Sequence, residues 1–168
     1  MDHQSISDQI LAGLKAMPKR MKSPNAKTVT KGKHTERNIE VVTLAGFHSF
    51  TLIERQATLD PYNFSCGLIW KASKSQHVIL ARYNGSNHPH TNHIEGDEFE
   101  YSCHIHIATE RYIEAGHKPE HYAQKTDRYS DLQGAIKCLL EDWNIEAPKK
   151  SIKKNQGMPE FIQSNLFV

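Results

Sequence analysis

The residues with the clearest chemical potential are histidines, which are concentrated in one part of the chain. Of 11 histidines in 168 residues, five fall in a short stretch: His88, His90, His93, His104 and His106. His104 and His106 are two residues apart, so on a strand their side chains point to the same face, about 6–7 Å apart. The loop that carries the other three is expected to return over this strand. Because imidazole titrates near neutral pH, the pair suits proton transfer or metal binding.

The first interpretation is general acid–base catalysis on RNA. Metal-independent cleavage needs a base for the 2′-hydroxyl proton, an acid for the leaving oxygen and a cation for the phosphate. The sequence predicts that His104 and His106 form the acid–base pair, and that Arg82 and Arg111 neutralise the developing charge. The predicted substrate-binding residues are His90, Asn84 and Tyr112. This interpretation requires no cofactor.

The second interpretation is a site for a divalent transition metal. His104, His106 and Glu110 have a His-x-His-x3-Glu spacing that resembles the first motif of the cupin family. In cupins two histidines and a glutamate hold the metal, and such nitrogen and oxygen ligands suit manganese, iron, nickel or zinc. The candidate ligands here are His90, His104, His106 and Glu110. The second cupin motif is missing downstream.

Composition excludes several classes of protein. The net charge is +2, 24% of residues are charged and the mean hydropathy is −0.64. No apolar run approaches the ~20 residues that span a bilayer, and the N-terminus lacks the features of a secretory signal. The three cysteines, Cys66, Cys103 and Cys138, form no Cys-x-x-Cys pair and are predicted to be free thiols in a reducing cytosol. We therefore expect a cytoplasmic protein without a membrane partner.

The elements that must position these residues predict an α+β fold. A short N-terminal helix, capped by Ser5 or Ser7, is followed by five strand patterns: Ile39–Leu44, Phe47–Arg55, Phe64–Lys71, Gln76–Tyr83 and Tyr101–Ile107. Two helices follow, one starting after Thr109 and one with a capping box at Ser130 and Gln133. This order predicts an antiparallel sheet of about five strands with helices packed on one face.

Composition and strand patterns predict that the chain has four parts. They are an N-terminal helix at 1–17, a basic linker at 18–38, the α+β domain at 39–145 and a C-terminal tail at 146–168. The linker is expected because this segment holds prolines and many basic residues with almost nothing apolar. Its positive charge could hold a phosphate backbone.

Several short motifs together carry a resemblance. They are Arg82-Tyr83-Asn84-Gly85, Pro89-His90-Thr91-Asn92 and His104-Ile105-His106-Ile107, followed by Glu110 and Tyr112. Over about residues 47–143 this series resembles an uncharacterised family of bacterial and phage proteins, and it is distantly similar to the TumE-type toxins of toxin–antitoxin pairs. Asn84 stands near the position where the toxin pattern has an acid. The resemblance implies a cytoplasmic protein of a mobile or stress-linked locus, with a cognate antitoxin as partner.

The third interpretation is a non-enzymatic protein of a phage or mobile element. Residues 95–114 are rich in acids and could mimic a phosphate backbone, so that the protein would bind and block a host nucleoprotein. The sequence thus leaves open whether the protein is an enzyme, and whether its partner is RNA or a host protein.

Overall fold

One large β-sheet dominates the structure, a computed structural model that describes residues 6–147. The helices are α1 (Asp8–Ala16), α2 (Glu110–Glu114) and α3 (Leu132–Asp142), and a 3₁₀ turn spans Pro119–His121. The strands are β1 (Lys19–Met21), β2 (Val29–Lys31), β3 (His34–Thr43), β4 (Ser49–Ala57), β5 (Phe64–Lys71), β6 (His77–Asn84), β7 (His90–Thr91), β8 (Glu98–Phe99), β9 (His104–Ile107), β10 (Ala123–Lys125) and β11 (Ile145–Glu146).

Nine of these strands form the main sheet, in the order β10-β9-β6-β5-β4-β3-β1-β11, with β2 paired to β3. Neighbouring strands are antiparallel except β1 and β11, which are parallel. The α+β class is confirmed, but the prediction of about five strands was wrong. The four additional strands have only two or three residues each, too few for an alternating pattern to show in the sequence.

The basic segment at 18–38 belongs to the sheet, so the prediction of a linker was wrong. It contains β1, β2 and the start of β3. Lys19 is completely buried, and its Nζ donates hydrogen bonds to the carbonyls of Lys15, Met17 and Trp143 at 3.3, 2.7 and 2.8 Å. Burial lowers the pKa of Lys19 to about 8. Composition alone indicated a solvated lysine at position 19. In the structure its hydrogen bonds instead connect the end of α1 with the end of α3.

Polar side chains cap the N-terminal ends of α1 and α3, and the cap of α3 lies one residue later than predicted. The Ser7 hydroxyl accepts a hydrogen bond from the Ile10 N–H and caps α1, as predicted. Asp131, rather than Ser130, caps α3, because its carboxylate accepts from the Gly134 N–H at 2.7 Å. Residues 1–5 of the predicted helix and 148–168 of the predicted tail lie outside the described residues.

The hydrophobic core lies where α1 and α3 meet one face of the sheet. Phe50, Leu52 and Leu68 contribute side chains from β4 and β5, and Leu14 and Leu139 contribute from the helices. The alternating residues of β4 to β6 point to the other face, where polar side chains stand beside Ile53, Ile69 and Ile79. No helix among the described residues has the length and apolar character of a membrane span.

Replacing Lys19 by methionine keeps the apolar stem but leaves the carbonyl oxygens of Lys15, Met17 and Trp143 without their donor. Loss of a partner in a buried position costs about 1–3 kcal/mol for each polar group. We expect Lys19→Met to lower the free energy of unfolding by about 2–4 kcal/mol in urea denaturation. The matched control is Arg20→Met, at an exposed neighbour. Equal stability of the two variants would contradict this role for Lys19.

Candidate functional site

The pairing of β6 with β9 brings several of the predicted residues together. Arg82 lies opposite His106, and Asn84 lies opposite His104. Cross-strand partners share a face, so all four side chains lie on the polar side of the sheet. The ring centroids of His104 and His106 are 5.0 Å apart, and the two residues are only 0% and 7% exposed. The predicted pair is therefore adjacent and buried.

The loop between β6 and β9 returns over this pair, as expected. The His90 ring centroid lies 4.6 Å from that of His106 and 5.5 Å from that of His104. The His88 ring meets the His104 ring edge-on, at 5.0 Å. His88 and His90 are half-buried and cover the two inner imidazoles.

Further histidines extend the cluster to the protein surface. His121, in the 3₁₀ turn, places its ring 5.2 Å from His90. The exposed His93 stacks on His121 at 4.5 Å, and the exposed His117 lies 5.9 Å from His121. Seven imidazoles thus form one contiguous group, which we call the histidine array: His88, His90, His93, His104, His106, His117 and His121.

Backbone carbonyls determine which ring nitrogen carries the proton in the buried pair. His104 Nδ1 lies 2.8 Å from the Ser102 carbonyl oxygen, and His106 Nδ1 lies 3.0 Å from the Glu120 carbonyl oxygen. A carbonyl oxygen only accepts, so Nδ1 is protonated in both rings and each Nε2 has a free lone pair. The Asn84 side-chain amide lies 3.4 Å from His104 Nε2 and donates to it.

Burial keeps these imidazoles neutral. Desolvation lowers the pKa of His104 to about 4 and that of His106 to about 3, and neighbouring imidazoles add to the effect. The pKa of His88 is also lowered, first by burial and then by His90 and Arg82. At neutral pH all three rings are uncharged. A neutral imidazole accepts a proton, so the array offers bases at this pH.

Asn92 fixes the loop that carries His90. It is fully buried, and its side-chain amide makes two 2.8 Å hydrogen bonds, accepting from the Ala123 N–H and donating to the Ala123 carbonyl. Because this pairing fixes the amide orientation, Asn92 Oδ1 is the acceptor facing His90 Nε2, 3.1 Å away. His90 is therefore protonated at Nε2 and has its lone pair on Nδ1. The sequence marked Asn92 only as a turn former.

A cavity of about 420 Å³, cavity A, opens beside the array. Its charged and polar lining comes from Arg55, Asn63, Ser65, Arg82, Asn84, Asn87 and His88. Gly67 leaves the floor of the cavity open; a Cβ there would lie 3.0 Å from the Ala81 carbonyl oxygen. His88 is the imidazole that lines cavity A, and no feature of its spacing distinguished it from the other loop histidines.

Asn84 has an acceptor without a partner in this wall. The residue is 4% exposed, and its Oδ1 is buried with no hydrogen-bond donor among the described residues. Buried polar atoms are satisfied in the great majority of cases. Asn84 therefore carries one unsatisfied buried acceptor next to His104.

Arg111 and Tyr112 lie on the outer side of the array, away from cavity A. Arg111 forms an ion pair with Glu95 at 2.6 Å, and the Tyr112 hydroxyl donates to the same carboxylate at 2.6 Å. The Tyr112 ring lies 5.7 Å from His117 and from His121. Both side chains hold the outer loop in place.

Glu110 lies at the start of α2 and contacts α1. Its carboxylate accepts a hydrogen bond from the Asp8 N–H at 3.0 Å, and its own N–H donates to the Asp8 carboxylate at 2.9 Å. Within residues 6–147, no group of three or more His, Cys, Asp or Glu side chains is arranged to hold a metal ion. Glu110 therefore serves the contact between two helix ends.

Comparison with protein-family models, curated proteins and solved structures gives no match for this chain. The fold and the site define an α+β protein whose sheet carries a histidine array beside a polar cavity. Its function is therefore argued from the geometry and charge of that site.

The buried imidazoles predict that acid destabilises the protein. In the unfolded chain histidine binds a proton near pH 6.5, whereas the pKa values of His104 and His106 in the folded state are about 4 and 3. Between these limits the unfolded state binds more protons, so the free energy of unfolding falls as pH decreases, by up to about 1.4 kcal/mol per pH unit for each group.

We expect this slope in urea denaturation measured from pH 7 to pH 4.5. His106→Gln removes one titrating group and should flatten the slope, whereas His77→Gln, at an exposed position, should leave it unchanged. A slope that is the same in both variants would show that His106 is protonated in the folded state.

The contact between Asn92 and His90 predicts a defined tautomer. Nitrogen-detected NMR of the histidine rings should show His90 protonated at Nε2 in the native protein. In Asn92→Asp the carboxylate oxygen at the same position accepts a stronger, charge-assisted hydrogen bond, so the Nε2–H proton resonance of His90 should move downfield. A His90 ring protonated at Nδ1, or one insensitive to Asn92→Asp, would contradict the assignment.

Proposed function

We propose that this protein cleaves RNA without a metal ion, with His88 as general base and Arg82 as the cation for the phosphate. The observation that carries the proposal is that a neutral imidazole and a guanidinium line the same polar cavity. His88 Nδ1 lies 2.9 Å from Asn87 Oδ1, which accepts a hydrogen bond from the Nδ1–H group. The lone pair of the ring is therefore on Nε2. A base for the 2′-hydroxyl and a cation for the phosphate are two of the three groups that cleavage of RNA by its own 2′-hydroxyl needs.

In this mechanism His88 Nε2 takes the proton of a ribose 2′-hydroxyl. The 2′-oxygen forms a bond to phosphorus, the bond from phosphorus to the 5′-oxygen breaks, and the leaving oxygen takes a proton from water in the open cavity. The hydroxide that remains takes the proton held by His88, which restores the neutral imidazole. The products are a 2′,3′-cyclic phosphate and a 5′-hydroxyl. Arg82 stabilises the negative charge that develops on the phosphate oxygens.

Arg82 can bind a phosphate while it keeps its ion pair with one carboxylate, that of Glu120. Its Nη2 donates to the Glu120 carboxylate at 3.3 Å, and its side chain is 39% exposed. The guanidinium has five N–H groups in a fork that matches a phosphate, so several remain for the substrate. Glu120 also orients the group.

His104 and His106, predicted from the sequence as the acid–base pair, lie one layer behind His88 in this proposal. Their neutral state suits them to accept a proton rather than to donate one at neutral pH. The His104 ring supports His88 edge-on, and His106 lies beside Arg82 across the β6–β9 pair. We propose that they hold the two reactive side chains in place, with a toxin of the TumE type and its cognate antitoxin as the biological setting.

The test is cleavage of a fluorogenic oligoribonucleotide by the purified protein in the presence of EDTA. We expect His88→Ala and Arg82→Ala each to lower kcat/KM by about 100-fold or more, because each removes one catalytic contribution. His77→Ala, at the far end of β6, is the matched control. An oligonucleotide with 2′-deoxyribose at the cleaved position should resist cleavage.

Two results would contradict the assignment. Full activity of His88→Ala, with loss of activity in folded His104→Asn or His106→Asn, would make the buried pair the base. Loss of activity in EDTA, restored by a transition metal, would instead support the metal interpretation.

A further inference from the structure

We propose that the substrate is single-stranded RNA, and that a second cavity beside cavity A binds the neighbouring nucleotide. This inference rests on the proposed function. The second cavity, cavity B, has a volume of about 450 Å³ and shares four residues with cavity A: Arg55, Asn63, Phe64 and Ser65. We call the two adjacent cavities the groove; it lies across the ends of β4, β5 and β6.

The sheet register places two arginines along the floor of this groove. Arg55 on β4 lies opposite Ser65 on β5, and Arg82 on β6 lies opposite Gly67 on β5. The two arginines thus project from the same face on either side of β5, about 12 Å apart by two strand spacings and an offset of two residues along the strand. Between them stand only the small side chain of Ser65 and a glycine, so the guanidinium groups can reach successive phosphates of one strand.

The far wall of the groove carries a lysine from the basic hairpin of β2 and β3. Lys33 is exposed and lines cavity B, and its carbonyl accepts a hydrogen bond from the Thr58 N–H at 3.0 Å, which fixes the hairpin beside the cavity. Within residues 6–147 its ammonium group has no ion-pair partner. This charge is therefore available to a phosphate.

The acids near the groove are already engaged. Glu36 pairs with Lys31 at 2.6 Å and with Arg55 at 3.6 Å. Asp60 lines cavity B and accepts a hydrogen bond from the Tyr62 N–H at 2.9 Å. Glu120 is the partner of Arg82. Among the residues that line the two cavities, three cations (Lys33, Arg55 and Arg82) stand against one acid (Asp60), which matches a polyanion.

An exposed apolar side chain in cavity B favours a single strand over a duplex. Leu59 lines cavity B and is 90% exposed, so it offers an apolar surface to an unpaired base. In a duplex the bases are stacked inside the helix, so this contact does not form.

The test is binding of non-cleavable 2′-fluoro oligouridylates of two and five nucleotides, measured by fluorescence anisotropy at several salt concentrations. We expect the five-nucleotide strand to bind the native protein at least 10-fold more tightly than the dinucleotide. Lys33→Glu should remove that gain and reduce the salt dependence by about one phosphate contact. Lys74→Glu, an exposed lysine at the opposite end of the β5–β6 hairpin, is the matched control.

The inference is overturned if Lys33→Glu binds the longer strand like the native protein, or if a duplex of equal length binds as tightly. Each failure is distinguishable from failure of the proposed function. Binding that depends on length and on Lys33, without any cleavage, would support the groove and reject the catalytic role of His88. Cleavage of a dinucleotide without a gain from length would support that role and reject cavity B as a subsite.

Discussion

The site depends on burying two imidazoles without charging them. His104 and His106 lie on a sheet face under other rings, and each needs an acceptor for one ring N–H. The Ser102 and Glu120 carbonyls supply those acceptors, from the segment before β9 and from the 3₁₀ turn after it. The backbone paths of both segments therefore determine whether the two rings keep their hydrogen-bond acceptors. Asn92 also hydrogen-bonds the covering loop to the backbone of Ala123.

One face of the sheet forms the hydrophobic core and the other forms the candidate site, and a few residues connect the two. One face meets α1 and α3 in the hydrophobic core, while the other holds cavity A and the array. The Tyr129 hydroxyl lies 3.1 Å from the carbonyl oxygens of both Asn84 and His104, at the point where β6 pairs with β9. The hydroxyl has one proton, which it donates to one carbonyl at a time or shares between them, and this contributes about 1 kcal/mol. The site residues of these strands are thus held by contacts from the core side, which limits their movement.

The period-two patterns predicted the long strands, the shared face of His104 and His106, and the return of the loop over them. Other features had no local signal. The short strands β1, β2, β10 and β11 form because a long neighbour offers hydrogen bonds, and Lys19 is buried because three carbonyls converge on it. His88 resembles other loop histidines in sequence, and only the tertiary structure places it in the wall of cavity A.

Arginines carry the positive charge of the site, whereas the buried imidazoles are neutral. Cationic imidazoles would repel Arg82, which already lowers the pKa of His88 and His106. With His88, His104 and His106 neutral, the arginines carry the positive charge and His88 keeps its lone pair. An anion bound at Arg82 offsets the guanidinium charge and favours protonation of the nearby ring, so the pKa of His88 rises when a phosphodiester enters. A phosphodiester bound in cavity A would therefore strengthen the base that the proposed reaction needs.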